Sequence, residues 1–372
     1  MDTMTHAERM ANATACKPVD RTAYINFASE LLGKYGNEEF TAGDMYTRPE
    51  WAIDQVLKGA KRMGGDTIPS YVYGPLFESD PTGTYYLTPG KDLPADETFQ
   101  AIETNPLKEE HIDFILENGV QAWMDKYVVP NFPDWAEEGA EEGGRIAGLM
   151  EQKAAETGEG WVSFPIPDYM GPIFYSMARG FQESLIDAYT EPETTKKIVD
   201  MLNEWNLEYT ANFYKMVGAP MPAVCPALGR LDDRTLGPDV FDEVFWPSIK
   251  RCIEYADDKG IPLIAHVDGY WDKMLDRHID EFTPHNTIIQ LDGFTDPFKL
   301  APKFVERGIC LMGDIPPMML VDKDPQPTYD RVIKLRQSFG DGLILAAGCQ
   351  SPPNTTFENI QAFVEAARTP NF

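Results

Sequence analysis

From about residue 160 onward, apolar runs of strand length alternate with amphipathic runs of helix length, and this alternation constrains the fold more than any other feature of the chain. The run 191–219 has helical periodicity and closes on Gly218, and the apolar run 219–229 leads into a loop. A second helical run, 236–260, ends at Gly260. The units then become regular: strand 261–269 (IPLIAHVDG), helix 270–282, strand 287–294 (TIIQLDGF), helix 296–308, strand 309–315 (ICLMGDI), helix 328–340, strand 342–349 (GLILAAGC) and a closing helix 355–368. Strands this uniformly apolar are covered on both faces, and helices between them are the crossovers a parallel sheet requires. Ending on a helix after so many units predicts a closed (β/α)8 barrel of the TIM type, an α/β fold, rather than an open sheet.

The first third is less regular. Residues 51–74 read as helix, glycine turn and strand, the first barrel unit, so 1–50 is expected to be an N-terminal helical elaboration. Residues 78–150 are expected to form a long loop or lid excursion over the barrel mouth. Within it the acidic, Gly-rich stretch 130–145 (PNFPDWAEEGAEEGGR) reads as an exposed loop. The α/β pattern continues beyond it, so residues 1–372 are taken as one domain.

Lys and Arg number 32 against 60 Asp and Glu, a formal net charge of −28. A chain so acidic, without a basic stripe, repels a phosphate backbone, which excludes nucleic acid as a partner. Five scattered cysteines with no CxxC are not a disulfide framework and point to a reducing compartment. No apolar region follows a basic start, and no stretch approaches 18 consecutive apolar residues, so neither a secretory leader nor a membrane span is expected. The expectation is a cytoplasmic protein acting on a small molecule.

Barrels of this class carry their chemistry at the C-terminal ends of the strands. The groups delivered there are Tyr71 and Tyr73, Cys225, His266 and Asp268, Asp292, Asp314 and Cys349. His266 and Asp268 are two apart in an extended segment, so both side chains point the same way. Cys349 follows the last apolar run, elsewhere around the ring. One imidazole, one carboxylate and one thiolate make a donor set for catalytic zinc with a position left open for substrate. A strand-end histidine also serves as an ordinary hydrogen-bonding residue and a free cysteine as a small buried apolar one. Spacing alone leaves both readings open.

Four segments stand in order along the chain: YMGPIFYSMARGFQESLIDAYTEPE (169–193), LGPDVFDEVFWPSIKRCIEYADDKGIPLIAHVDG (236–269), LMGDIPP (311–317) and AAGCQSPPNTTFENIQAFVEAAR (346–368). Together they resemble the uroporphyrinogen decarboxylase superfamily, and within it the zinc-dependent, corrinoid-linked methyltransferases. The resemblance runs from about residue 160 to 370. It implies a barrel, zinc held by His266 and Cys349, and a corrinoid carried on a separate partner protein. The family pattern is His-x-Cys with a later Cys. Here Asp268 stands in place of the first of those cysteines, so it is implied as an altered zinc ligand or as a general acid. The Met-Arg-Gln-Ala-Gly-Arg motif that binds propionates in uroporphyrinogen decarboxylases has no counterpart in DRTAYINFASELLGKYG (20–36). Decarboxylation of a porphyrinogen is therefore disfavoured.

The implied activity is an O-demethylase type of methyltransferase. It moves a methyl group from a methoxylated aromatic or similar small donor to cobalt(I) of the corrinoid protein. Transfer from a methylated corrinoid protein to a thiol or other acceptor is the alternative, followed by decarboxylation of a small aromatic or tetrapyrrole-like acid and by a non-catalytic docking module for a corrinoid protein. Tyr71, Tyr73, Phe77, Tyr169, Met170 and Phe174 are expected to wall the donor pocket, although each also reads as barrel core. Asp232, Asp292 and Asp314 are expected to bind substrate, and Asp232 and Asp233 to line the rim.

Overall fold

The computed structural model describes residues 2–69, 81–131, 138–163, 165, 168–216 and 218–370. Eight segments close a parallel barrel around one axis. Six of them form a continuous ladder of strands β1 (Ala23–Tyr24), β8 (Leu343–Ala347), β7 (Cys310–Ile315), β6 (Thr287–Leu291), β5 (Leu263–Val267) and β4 (Ala227–Leu228) in that spatial order. Two shorter segments complete the ring. The Asp66 N–H donates to the Tyr24 carbonyl (2.8 Å), and Ile68 and Val162 exchange bonds with each other's segments, Ile68 N–H to Val162 O at 2.8 Å and Val162 N–H to Asp66 O at 3.0 Å. Asp168 then bonds the β4 segment from both its amide and its carbonyl, to Cys225 O (2.7 Å) and from Ala227 N–H (2.8 Å). Among the described residues, these backbone bonds lead from β1 around to β4, so the ladder's two outer strands are paired.

Alternation along each strand builds two cores. Odd-numbered positions such as Leu263, Ala265, Val267, Leu311, Leu343 and Leu345 pack outward under the helices. Even-numbered positions Ile264, Ile288, Cys310, Met312, Ile344 and Ala346 fill the lumen together with Cys225 and Ala23. Every residue of β5, β6, β7 and β8 is therefore buried, as the apolar runs predicted. The N-terminal helix His6–Thr14 closes the lower end, where Met10 and Ala13 join the luminal cluster. Its Arg9, almost fully buried, donates to Asp20 (2.7 Å) and Asp66 (2.6 Å). Arg21 and the Tyr24 amide also donate to Asp66.

Two expectations need correction. The first barrel strand is β1, inside the region expected to be only an elaboration, and the helix Pro49–Met63 leads to the second strand. Two residues of strand are too few for a period to show in the sequence. The acidic stretch 130–145 is not all loop: a helix spans Glu138–Glu156. Its Arg145 and Lys153 pair with Glu50 and Asp54 of the helix Pro49–Met63, a tertiary support invisible to local composition. The excursion also contains an antiparallel hairpin, β2 (Thr84–Leu87) with β3 (Gln100–Glu103). Among the described residues no helix is long and apolar enough to cross a membrane.

Candidate metal centre

His266 lies in the barrel lumen one layer above Ile264, beside Ala227 of β4 and Gln290 of β6 in the ladder register. Its Nε2 is 3.2 Å from Asp268 Oδ1. Asp268 follows directly after β5, tied to the neighbouring strand by its own amide, which donates to Leu228 O (2.8 Å). Cys349 reaches the same place from β8. Its predecessor Gly348 donates to Ile315 O (2.8 Å) and passes so close over β6 that a Cβ there would fall 2.5 Å from the Asp292 carbonyl carbon. Only glycine allows that approach. One ligand atom each from His266, Asp268 and Cys349 lie within 4.8 Å of one another.

The electrostatics suit a cation. Burial opposes charge on His266, but the adjacent Asp268 and Cys349 side chains outweigh it and raise the imidazole well above its usual pKa. The ring is buried and its Nδ1 has no hydrogen-bond partner; Asp268 Oδ1, despite its ion-pair distance to Nε2, makes no hydrogen bond either. Unsaturated buried donors and acceptors of this kind are uncommon and mark a place where another group belongs. An imidazole, a carboxylate and a thiolate together carry two negative charges, the complement of a divalent ion, and all three atom types ligate zinc. By donor chemistry and convergence, the residues fit zinc.

The carboxylates expected to meet substrate are engaged with the backbone or an arginine. Asp292 accepts from Gly269 N–H (2.7 Å) and Phe294 N–H (3.0 Å). Burial raises its pKa, which those bonds oppose and Asp268 reinforces. Asp232 accepts from Tyr270 N–H (2.9 Å), Arg234 N–H (3.0 Å) and Thr235 N–H (3.2 Å). Asp233 caps the amides of Lys273 and Met274. Asp314 is fully buried and pushed up to about 6 by burial, against the pull of Arg331, which donates to its Oδ2 at 2.5 Å. Its Oδ1 is without a partner.

The aromatic wall divides along the helix Gly171–Arg179. Tyr169, Ile173 and Met177 turn toward Ala227 and form a small apolar cluster at the mouth. Tyr169 Oη lies 3.3 Å from Tyr86 Oη of the hairpin. Met170 and Phe174, expected beside them, are fully buried on the other side, where Met170 Sδ receives Asn206 Nδ2 (3.5 Å) and Phe174 packs near Trp205. Positions four apart share a helix face, so 170 and 174 leave the mouth together while 169, 173 and 177 stay. That spacing would have identified Ile173 and Met177 from the sequence; Ala227 and Tyr86 carried no such signal. Cys225 is buried in the luminal core, its thiol pushed well up by burial and by Asp168. Tyr71, Tyr73 and Phe77 lie outside the described residues.

Residues 172–370, more than half of the chain, match the family described as uroporphyrinogen decarboxylase (URO-D). The chain belongs to this family. A methyltransferase from Methanosarcina mazei has a similar structure, with a TM-score of 0.64 and 14% sequence identity over 98% of each chain. At that identity the likeness is one of fold, and it spans nearly the whole length of both chains. No curated protein matches significantly in sequence.

Proposed function

We propose that the protein is a zinc-dependent methyltransferase that moves a methyl group from a methoxylated aromatic, or a similar small methyl donor, to cobalt(I) of a corrinoid held by a partner protein. The observation that carries this reading is the convergence of His266, Asp268 and Cys349 at the mouth of a URO-D barrel, with Asp268 where the family resemblance implies cysteine. The fold of the M. mazei methyltransferase supports it.

Zinc bound by His266, Asp268 and Cys349 would supply Lewis-acid chemistry, withdrawing charge from the leaving atom of the donor. The chain's own residues do the rest. His266 presents a ring nitrogen from a strand, so its direction is fixed by the sheet. Asp268 donates less charge than a thiolate in that position and leaves the site more electrophilic, which suits an ether oxygen better than sulfur. Tyr169, Ile173, Met177 and Ala227 form an apolar surface against which an aromatic ring packs, excluding water from the leaving group. Cys349 is exposed and Asp268 half-exposed, so the site opens toward an incoming partner.

Metal content of the purified protein, followed by methyl transfer to cob(I)alamin from methoxybenzenes, methylamines and methylthiols, tests the reading. Zinc near one per chain with turnover of a methoxybenzene is expected. Metal-free protein with wild-type turnover would refute it.

A further inference from the structure

The backbone that follows Asp268 makes a turn, and a turn has no neighbouring strand to accept its amides. Three consecutive N–H groups are nevertheless satisfied, each by a side chain from a different point on the barrel rim. Gly269 N–H donates to Asp292 Oδ2 (2.7 Å), Tyr270 N–H to Asp232 Oδ2 (2.9 Å) and Trp271 N–H to Thr295 Oγ1 (2.9 Å). The Thr295 hydroxyl donates onward to Gly269 O (2.9 Å), and Trp271 Nε1 donates back to the Asp268 carbonyl (2.9 Å). Gly269 has φ +96°, and a Cβ on it would lie 2.6 Å from Asp232 Oδ2, so the turn and the carboxylate fit each other only with glycine there.

Asp268 needs such support. Its side chain is 40% exposed, so packing does not hold it, and its direction depends on the backbone from which it projects. His266, by contrast, is fixed within a strand. We propose that Asp292, Asp232 and Thr295 form a clamp that aims the Asp268 carboxylate at the metal, which makes them positioning residues of the site and not substrate ligands. The proposal rests on the metal reading above. Asp292 comes from the end of β6, Thr295 from the loop after it and Asp232 from the loop after β4, so the clamp ties both neighbours of β5 to the turn that directly follows Asp268.

Thr295 gives the cleanest test, because it is buried and Thr295→Val keeps its shape while removing both hydroxyl bonds. Thr295→Ser keeps the hydroxyl. Loss of a group that orients a metal ligand weakens binding by roughly 10- to 100-fold. Zinc affinity of Thr295→Val should fall by about that factor, with an altered visible spectrum when Co2+ replaces zinc, and Thr295→Ser should restore both. Asp292→Asn, which leaves an amide NH2 facing one of two backbone donors, should act in the same direction and serves if the valine variant does not fold. Amide hydrogen exchange at residues 269–271 of the metal-free proteins reports the clamp without any metal, and it should accelerate in both variants. Faster exchange with wild-type zinc affinity and an unchanged cobalt spectrum would overturn the proposal while leaving the metal reading intact. A wild-type protein that binds no zinc would overturn both.

Discussion

Glu30 offers the sharpest test of how this fold handles buried charge. It sits in the first turn of the helix Ser29–Gly36, just after β1, 4% exposed, and neither carboxylate oxygen has a hydrogen-bond partner. Burial raises its pKa from 4.5 to about 7. Such a change corresponds to about 3 kcal/mol of linked stability. The sign follows from which state holds the proton. Below pH 4.5 the folded and unfolded chains both carry it, and stability is at its fullest. Between 4.5 and about 7 the unfolded chain releases the proton while the folded chain keeps it, so stability falls with rising pH and levels off above 7. Glu30→Gln stays neutral throughout and escapes this loss. Denaturant unfolding of wild type and variant from pH 4.5 to 8.5, taken as a difference so that the other acidic groups cancel, should show the variant gaining about 3 kcal/mol on wild type across that range. A difference that does not change with pH would refute the reasoning and mean that the carboxyl is solvated or paired in solution.

At the metal centre, Asp268→Ala, His266→Ala and Cys349→Ala should each lower zinc content and methyl transfer together, read by metal analysis and turnover on the same preparations. Asp268→Asn that kept full zinc but lost roughly 10²–10⁴-fold in rate would instead make Asp268 a proton donor. Asp66→Ala should cost about 3–5 kcal/mol in denaturant unfolding, because it strands the buried Arg9 and Arg21 that meet on that carboxylate. Tyr169→Ala should raise KM for a methoxybenzene about tenfold while leaving zinc content unchanged, since it removes one face of the apolar cluster and no ligand. Unchanged kinetics would place the donor elsewhere in the mouth.

The sequence by itself determined the barrel and most of its strands, because a strand covered on both faces must be apolar throughout and a parallel neighbour must be reached through a helix. The runs around Leu263–Val267, Thr287–Leu291, Cys310–Ile315 and Leu343–Ala347 could be read directly for that reason. His266, Asp268 and Cys349 were legible as candidates because polar groups end runs that are otherwise apolar. Their meeting was decided by the closed ring, which alone brings the exits of β5 and β8 to one point 83 residues apart in sequence, from His266 to Cys349. Tertiary structure also decided what the other carboxylates do. Asp232 and Asp292 looked like substrate ligands along the chain, and folding sets both against the amides of one turn, whose partners come from the loops after β4 and β6. Thr295 gave no signal at all, since a hydroxyl matters here only through the two backbone groups that folding places beside it. Local pattern fixes which face of an element is buried; which polar group finds which partner depends on distances that exist only once the ring has closed.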